Sequence, residues 1–242
     1  MLEAYFKYLY DDVVSSSKKK FMELLSGTAD SLLDLGCWDG ANTIKYGKKV
    51  HAKSLFGIEI EKSKAKIASK KGVKVKISNL NNRFPFKDNS MDVVVANHVI
   101  EHLTQTELFI KEIYRVLKKN GYAVIATPNL ASWHNVFALA LGMQPFSGPH
   151  VKASSHDMKS VNKMDENKIE NLLKSTEEGK DCLRHLVVMT HKELIKNLRK
   201  AGFVVEKSYG FGYYPLPSLL ANLFAKIDIR HSHYIVVRVR KK

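Results

Sequence analysis

The chain has 242 residues, 45% of them hydrophobic and 10% aromatic, with a formal net charge of +15. That length and apolar content can fill one sizeable core, which excludes a disordered chain, and no apolar run reaches the roughly 18 residues of a membrane span. Only Cys37 and Cys182 are cysteines, and the first twenty residues carry acids and tyrosines in place of a basic start and an apolar centre, so a reducing, cytoplasmic setting is expected. The charge surplus raises nucleic acid, anionic lipid or an acidic substrate as partners. It is carried by 32 lysines against seven arginines, however, which describes a solvated surface better than a phosphate-reading one.

Tyr5, Phe6, Leu9, Val13, Phe21, Leu24 and Leu25 mark a leading helix over residues 3–25, and the polar run Ser15 to Lys20 inside it allows two helices. Ser31 to Leu35 then reads as a buried strand that ends in Asp34 and opens into Gly36-Cys37-Trp38-Asp39-Gly40 before a helix. Glycines at a turn between strand and helix supply positive φ and bare backbone for a ligand, and an Asp at the carboxyl end of a parallel strand faces the ligand crevice. Ser54 to Ile60 is a second buried strand, and its Glu59 lies 19 residues beyond Gly40, the spacing of a ribose-binding acid. A lysine-rich helix (residues 61–71, stopped by Gly72) and a short alternating strand (73–77) follow.

Met91 to Ala96 is a continuous apolar run typical of a central parallel strand. Thr104-Gln105-Thr106-Glu107 reads as a capping box for a helix that closes at Lys118-Lys119-Asn120-Gly121, and Tyr122 to Ala126 is the fifth strand. The alternation then lapses. Residues 131–185 are expected to form an insertion, with an apolar segment from Ser132 to Leu141 and a polar, mobile lid over residues 147–181. Thr190 to Glu193 is a second capping box for a helix that Gly202 ends, Phe203 to Tyr209 is a strand, Ser218 to Ala225 an apolar helix, and Tyr234 to Val239 the last strand. The whole describes one α/β domain over residues 1–242.

Asn79, Phe84-Pro85-Phe86, Asp88-Asn89-Ser90-Met91-Asp92 and Glu101-His102-Leu103 stand in an order and spacing that resemble the class I S-adenosylmethionine-dependent methyltransferases of the type 11-like branch. The resemblance covers residues 30–130 well, and the Thr-x-x-Glu-Leu helix with Ala201-Gly202-Phe203 looks like the family's late helix and sixth strand. It implies a Rossmann-like, seven-stranded, mostly parallel sheet with helices on both faces. It also implies S-adenosylmethionine as cofactor, with Asp34, Gly36 and Gly40 under its methionine part, Glu59 and Ile60 at the ribose, Asn79 and Leu80 at adenine, and the Asn97 backbone at the aminoacyl portion. The chain departs from the family pattern at Trp38, where Gly is usual, and at Asn79, where Asp is usual.

Methyl transfer from a sulfonium asks the protein to align acceptor and methyl and, for a hydroxyl, to take its proton; Glu101 and His102, after the fourth strand, are the candidate catalytic pair. Ala96-Asn97-His98-Val99 is not the Asn-Pro-Pro-aromatic signature of amino-methylating enzymes, and neither cysteine has the Pro-Cys context of cytosine-C5 chemistry. The histidines at 134, 150, 156, 185 and 191 lack a metal-ligand spacing, so no metal is expected. The expected acceptor is a small-molecule or lipid-like compound. An RNA-modifying or RNA-binding protein that uses the basic surface comes second, and a non-catalytic cofactor-binding protein third.

Overall fold

The computed structural model describes residues 2–149, 184–213 and 216–242. Seven strands, β1 (Ser31–Leu35), β2 (Ser54–Glu59), β3 (Lys74–Ile77), β4 (Met91–Asn97), β5 (Leu117–Pro128), β6 (Phe203–Phe211) and β7 (Tyr234–Lys241), form one sheet in the order β3-β2-β1-β4-β5-β7-β6. The first five strands run parallel to one another, and β7 runs antiparallel to both β5 and β6. This is the mostly parallel α/β sheet expected from the alternation of strand and helix signals.

Strand side chains alternate between faces, so the central strands serve two cores at once. On one face Leu33, Leu35, Val94, Ala96, Ile125 and Val237 pack with Phe109, Ile110 and Ile113 of α4 (Thr106–Val116) and Leu194 and Leu198 of α6 (His191–Lys200). On the other, Leu32, Val93, Val95 and Val124 pack with Val13, Phe21 and Leu24 of α1 (Leu2–Leu24) and Tyr46 of α2 (Ala41–Lys49). α3 (Lys62–Lys70) joins β2 to β3, α5 (Trp133–Ala140) follows β5, and α7 (Ser218–Ile227) follows β6.

Three local expectations change. α1 is a single helix of 23 residues, because Ser17 continues the buried stripe Leu9, Val13, Phe21 while Ser15, Lys18 and Lys19 face water. α4 starts at Thr106 after Gln105, with no side-chain cap: Asn81 Oδ1 accepts from the Thr104 amide and hydroxyl and the Gln105 amide, which takes Thr104 out of its capping role. α4 also ends at Val116. Leu117 is already extended and pairs with Met91, and Asn120 takes the left-handed turn at φ 63, so β5 begins five residues earlier than its apolar run. The second capping box holds, with the Thr190 hydroxyl accepting from the Glu193 amide at 3.2 Å. Most of the polar segment 147–181, expected as a lid, lies outside the described residues.

The register decides where chemistry can sit. Leu35 pairs with Ile58 on one side and Ala96 on the other, and Asn97 pairs with Ala126, so β1, β2, β4 and β5 end at one level. The chain moves from β1 outward through β2 and β3, then returns to place β4 on β1's other side, which makes the β1/β4 end the switch point where open α/β sheets take ligands. β7 starts at this same edge, with Tyr234 opposite Pro128.

Candidate active site

The loop after β1 is built from backbone held in positive φ. Gly36 (φ 71) donates its amide to the Ile58 carbonyl, and a Cβ there would come within 2.9 Å of a Val99 methyl group. Gly40 (φ 76) is the N-cap of α2, where a Cβ would meet Ala68 at 3.0 Å. Trp38 takes φ 49, so the chain adopts with Trp the left-handed conformation that Gly ordinarily provides, and Lys64 Nζ sits 4.7 Å from its ring centroid.

Two buried carboxylates back this loop. Asp34 Oδ2 accepts from the Thr43 hydroxyl at 2.6 Å, and burial raises its carboxyl to about 7, with the Thr43 bond acting against that and the nearby Glu59 charge adding to it. Glu59 Oε2 accepts from the Trp38 amide at 2.8 Å, while Oε1 accepts from the Ile60 and Glu61 amides at 2.9 and 3.0 Å. A carboxylate offers about four acceptor positions, so the three backbone donors make Glu59 an anchor of the loop and leave capacity for one more hydrogen bond. Burial pushes the Cys37 thiol up to about 12, helped by the charges of Asp34 and Glu59, which makes it a packed apolar group and not a nucleophile.

The remaining cofactor candidates differ in exposure. Ile60 is exposed at the end of β2; Asn79 is exposed and its Oδ1 accepts from the Asn81 amide at 2.9 Å; Leu80 is buried in the main core. Asn97, half-buried at the end of β4, borders a cavity of about 280 Å³ between α1 and α2 that Met22, Asn42 and Tyr46 also line. That volume is near the lower end of ligand pockets, about 300 Å³. The exposed Gly36 turn, the two buried acids and this cavity lie together at the switch point. They fit a cofactor that carries an ammonium group and a sugar.

The turn after β4 supplies the second half of the site. Glu101 is wholly buried in the 3-10 turn Ile100–His102; Oε1 accepts from His98 Nδ1 at 3.1 Å and Oε2 from the Thr127 hydroxyl at 3.1 Å. Burial opposes ionisation of Glu101, but the His98 hydrogen bond and the His98 and His102 charges outweigh it and hold the carboxyl below its ordinary range. His98 adopts φ 56, a conformation uncommon for a side chain larger than Gly, and its side chain is 34% exposed. His102 does not bond to the Glu101 carboxylate; its Nδ1 donates to the Arg184 carbonyl at 2.9 Å.

Sequence reading placed Glu101 and His102 here but gave His98 no catalytic task, and it did not associate His185 or Thr127 with the site. His185 arrives from 82 positions beyond Leu103, held because the Leu186 and Val187 amides donate to the Glu101 carbonyl at 2.7 and 3.1 Å. No spacing rule reveals such a pairing. The order Asn97-His98 at a strand end was the one available signal.

Residues 33–125 match the family model described as "Methyltransferase domain". Over this stretch the chain is a class I S-adenosylmethionine-dependent methyltransferase domain. A probable S-adenosylmethionine-dependent methyltransferase of Mycobacterium tuberculosis is 30% identical over 106 residues, 42% of this chain and 37% of its own length. The mitochondrial ubiquinone biosynthesis O-methyltransferase of Mus musculus is 32% identical over 107 residues, 40% of this chain and 28% of its own. The chain thus spans less than half the length of these relatives. Among solved structures, geranyl diphosphate C-methyltransferase from Streptomyces coelicolor, in complex with Mg2+, geranyl diphosphate and S-adenosyl-L-homocysteine, superposes with a TM-score of 0.59. It is 13% identical, over 94% of this chain and 80% of that one, a likeness of fold.

For the methyltransferase domain, Glu59→Ala is expected to weaken S-adenosylmethionine binding roughly 10- to 150-fold, since it removes a charged acceptor worth about 1.5–3 kcal/mol and releases the Trp38 turn. Titration calorimetry measures this. Unchanged affinity would move the ribose contact away from β2.

Proposed function

We propose that the methyltransferase domain transfers a methyl group from S-adenosylmethionine to a small-molecule or lipid-like acceptor. The observation that carries this reading is the pair of buried Glu101 and half-buried His98 set directly against the cofactor loop, since Val99, next to His98, is the residue a Cβ on Gly36 would strike. When bound at the Asp34–Gly36–Glu59 loop, the cofactor supplies an already activated methyl group. The chain's own residues then align and deprotonate.

Glu101 accepts only, so His98 Nδ1 must donate to it, which leaves the lone pair of the neutral ring on Nε2. His98 can therefore receive the acceptor's proton as its oxygen or nitrogen bonds to the methyl carbon, while Glu101 positions the ring and steadies the imidazolium. Glu101 is in this reading a positioning residue.

Exposed apolar side chains support an acceptor with an apolar body. Trp133, Phe137, Leu141 and Phe146 in and after α5, and Leu223 and Phe224 in α7, are exposed, and neither helix is needed to complete the sheet. Among the described residues no helix is long and apolar enough to cross a membrane. Cell extract incubated with the protein and methyl-labelled cofactor, then split into lipid, small-molecule, RNA and protein pools, tests the reading. Label in the lipid or small-molecule pool supports it; label confined to RNA and lost with ribonuclease transfers the assignment to the basic surface, and no label with cofactor bound makes the domain a binding module.

A further inference from the structure

We propose that Glu101, His102 and His185 form a binding site for a divalent transition-metal ion, Zn2+ or a first-row neighbour. One potential ligand atom from each of the three lies within 4.8 Å of the others, and the two imidazole centroids are 5.1 Å apart.

Three features of the site go beyond proximity. First, His102 Nδ1 faces the Arg184 carbonyl at 2.9 Å and His185 Nδ1 faces the Ser147 carbonyl at 2.7 Å. A carbonyl only accepts, so each Nδ1 carries the hydrogen and each neutral ring has its lone pair on Nε2. Metal-ligating histidines are oriented in this way, the far N–H tied to a main-chain oxygen. Second, the carboxylate is buried and its orientation is fixed by hydrogen bonds from His98 and the Thr127 hydroxyl. Third, the segment bearing His185 is fastened by hydrogen bonds from the Leu186 and Val187 amides to the Glu101 carbonyl, so the two histidine-bearing elements are held in register.

Two imidazoles and one carboxylate are the ligand set of an open zinc or non-haem iron site, which leaves coordination positions for another oxygen or nitrogen. Ligand atoms of a tetrahedral ion with bonds of about 2.1 Å sit roughly 3.4 Å apart, so the group contracts by up to about 1.4 Å through side-chain rotation on loading. In the proposed reaction a bound ion would hold an acceptor hydroxyl and make it more acidic. That purpose rests on the proposed reaction; the existence of the site does not.

The experiment uses the full chain without an affinity tag, titrated with Co2+ and followed by visible absorption, then back-titrated with Zn2+. Expected are one equivalent of Co2+ with the intense visible bands of a low-coordinate ion, and their bleaching by one equivalent of Zn2+. His102→Ala and His185→Ala should each weaken Co2+ binding by more than about tenfold, while His134→Ala, outside the group, leaves it unchanged. Cofactor binding by each variant reports that it is folded, and either folded variant is sufficient. Wild-type protein without the bands, or folded variants that keep wild-type affinity, would overturn the site whatever the turnover experiments show.

Discussion

His98→Gln is expected to slow methyl transfer by about 10²–10⁴-fold while S-adenosylmethionine affinity stays within about twofold, because the ring is assigned the acceptor proton and no cofactor contact. The wild-type rate should rise with pH, because a general base acts in its unprotonated form, and this limb should vanish in the variant. Glu101→Gln should act through His98: the amide no longer stabilises the imidazolium, so the rate falls while cofactor affinity holds. Rate measurements at saturating cofactor across pH 5–9 distinguish these outcomes. Full turnover in His98→Gln, with His102→Gln crippled, would assign the proton transfer to His102.

The second large effect concerns Asp34 and pH. Its folded carboxyl titrates at about 7 against an ordinary value of 3.8, because burial disfavours the charge. Between those values the folded domain holds a proton that the unfolded chain has released, so stability must fall as pH rises from about 4 to about 7. A shift of that size corresponds to on the order of 4 kcal/mol. Asp92, Glu112 and Glu206 are held low by Lys118, Arg115 and Arg238–Arg240 against the effect of burial, and they act with the opposite sign, their stabilisation being lost as pH falls. The difference between wild type and Asp34→Asn isolates the Asp34 contribution. In denaturant unfolding at pH 4.5 and 7.5, the variant should gain on the wild type by a few kcal/mol at the higher pH. A constant difference across that range would show that Asp34 is ionised in the ligand-free domain. Cofactor binding below pH 7 should release a proton as the ammonium group draws Asp34 into its charged form, which calorimetry in buffers of different ionisation enthalpy detects.

The sheet was legible in the sequence because each central strand is buried on both faces, and burial of that kind permits only apolar runs such as Val93-Val94-Val95-Ala96. The loop acids were legible for a related reason: Asp34 and Glu59 sit at strand ends, and the strand-to-acid spacing survives in one dimension. The fate of Thr104 was not, since its hydroxyl is claimed by Asn81, 23 positions earlier and brought alongside only by the fold. Lys118 likewise reads as the end of a helix until Asp92 and the pairing of Leu117 with Met91 draw the segment into β5. At the site itself, sequence alone determined that an acid and a histidine follow β4. Tertiary structure decided that Glu101 turns to His98 and Thr127 and not to His102, and that His185 arrives beside His102 from the far end of the chain. The reason is physical: a buried carboxylate must be satisfied by whichever donors the packed strand ends present, here His98 just after β4 and Thr127 of β5, while the distant segment donates two amides to the Glu101 backbone carbonyl.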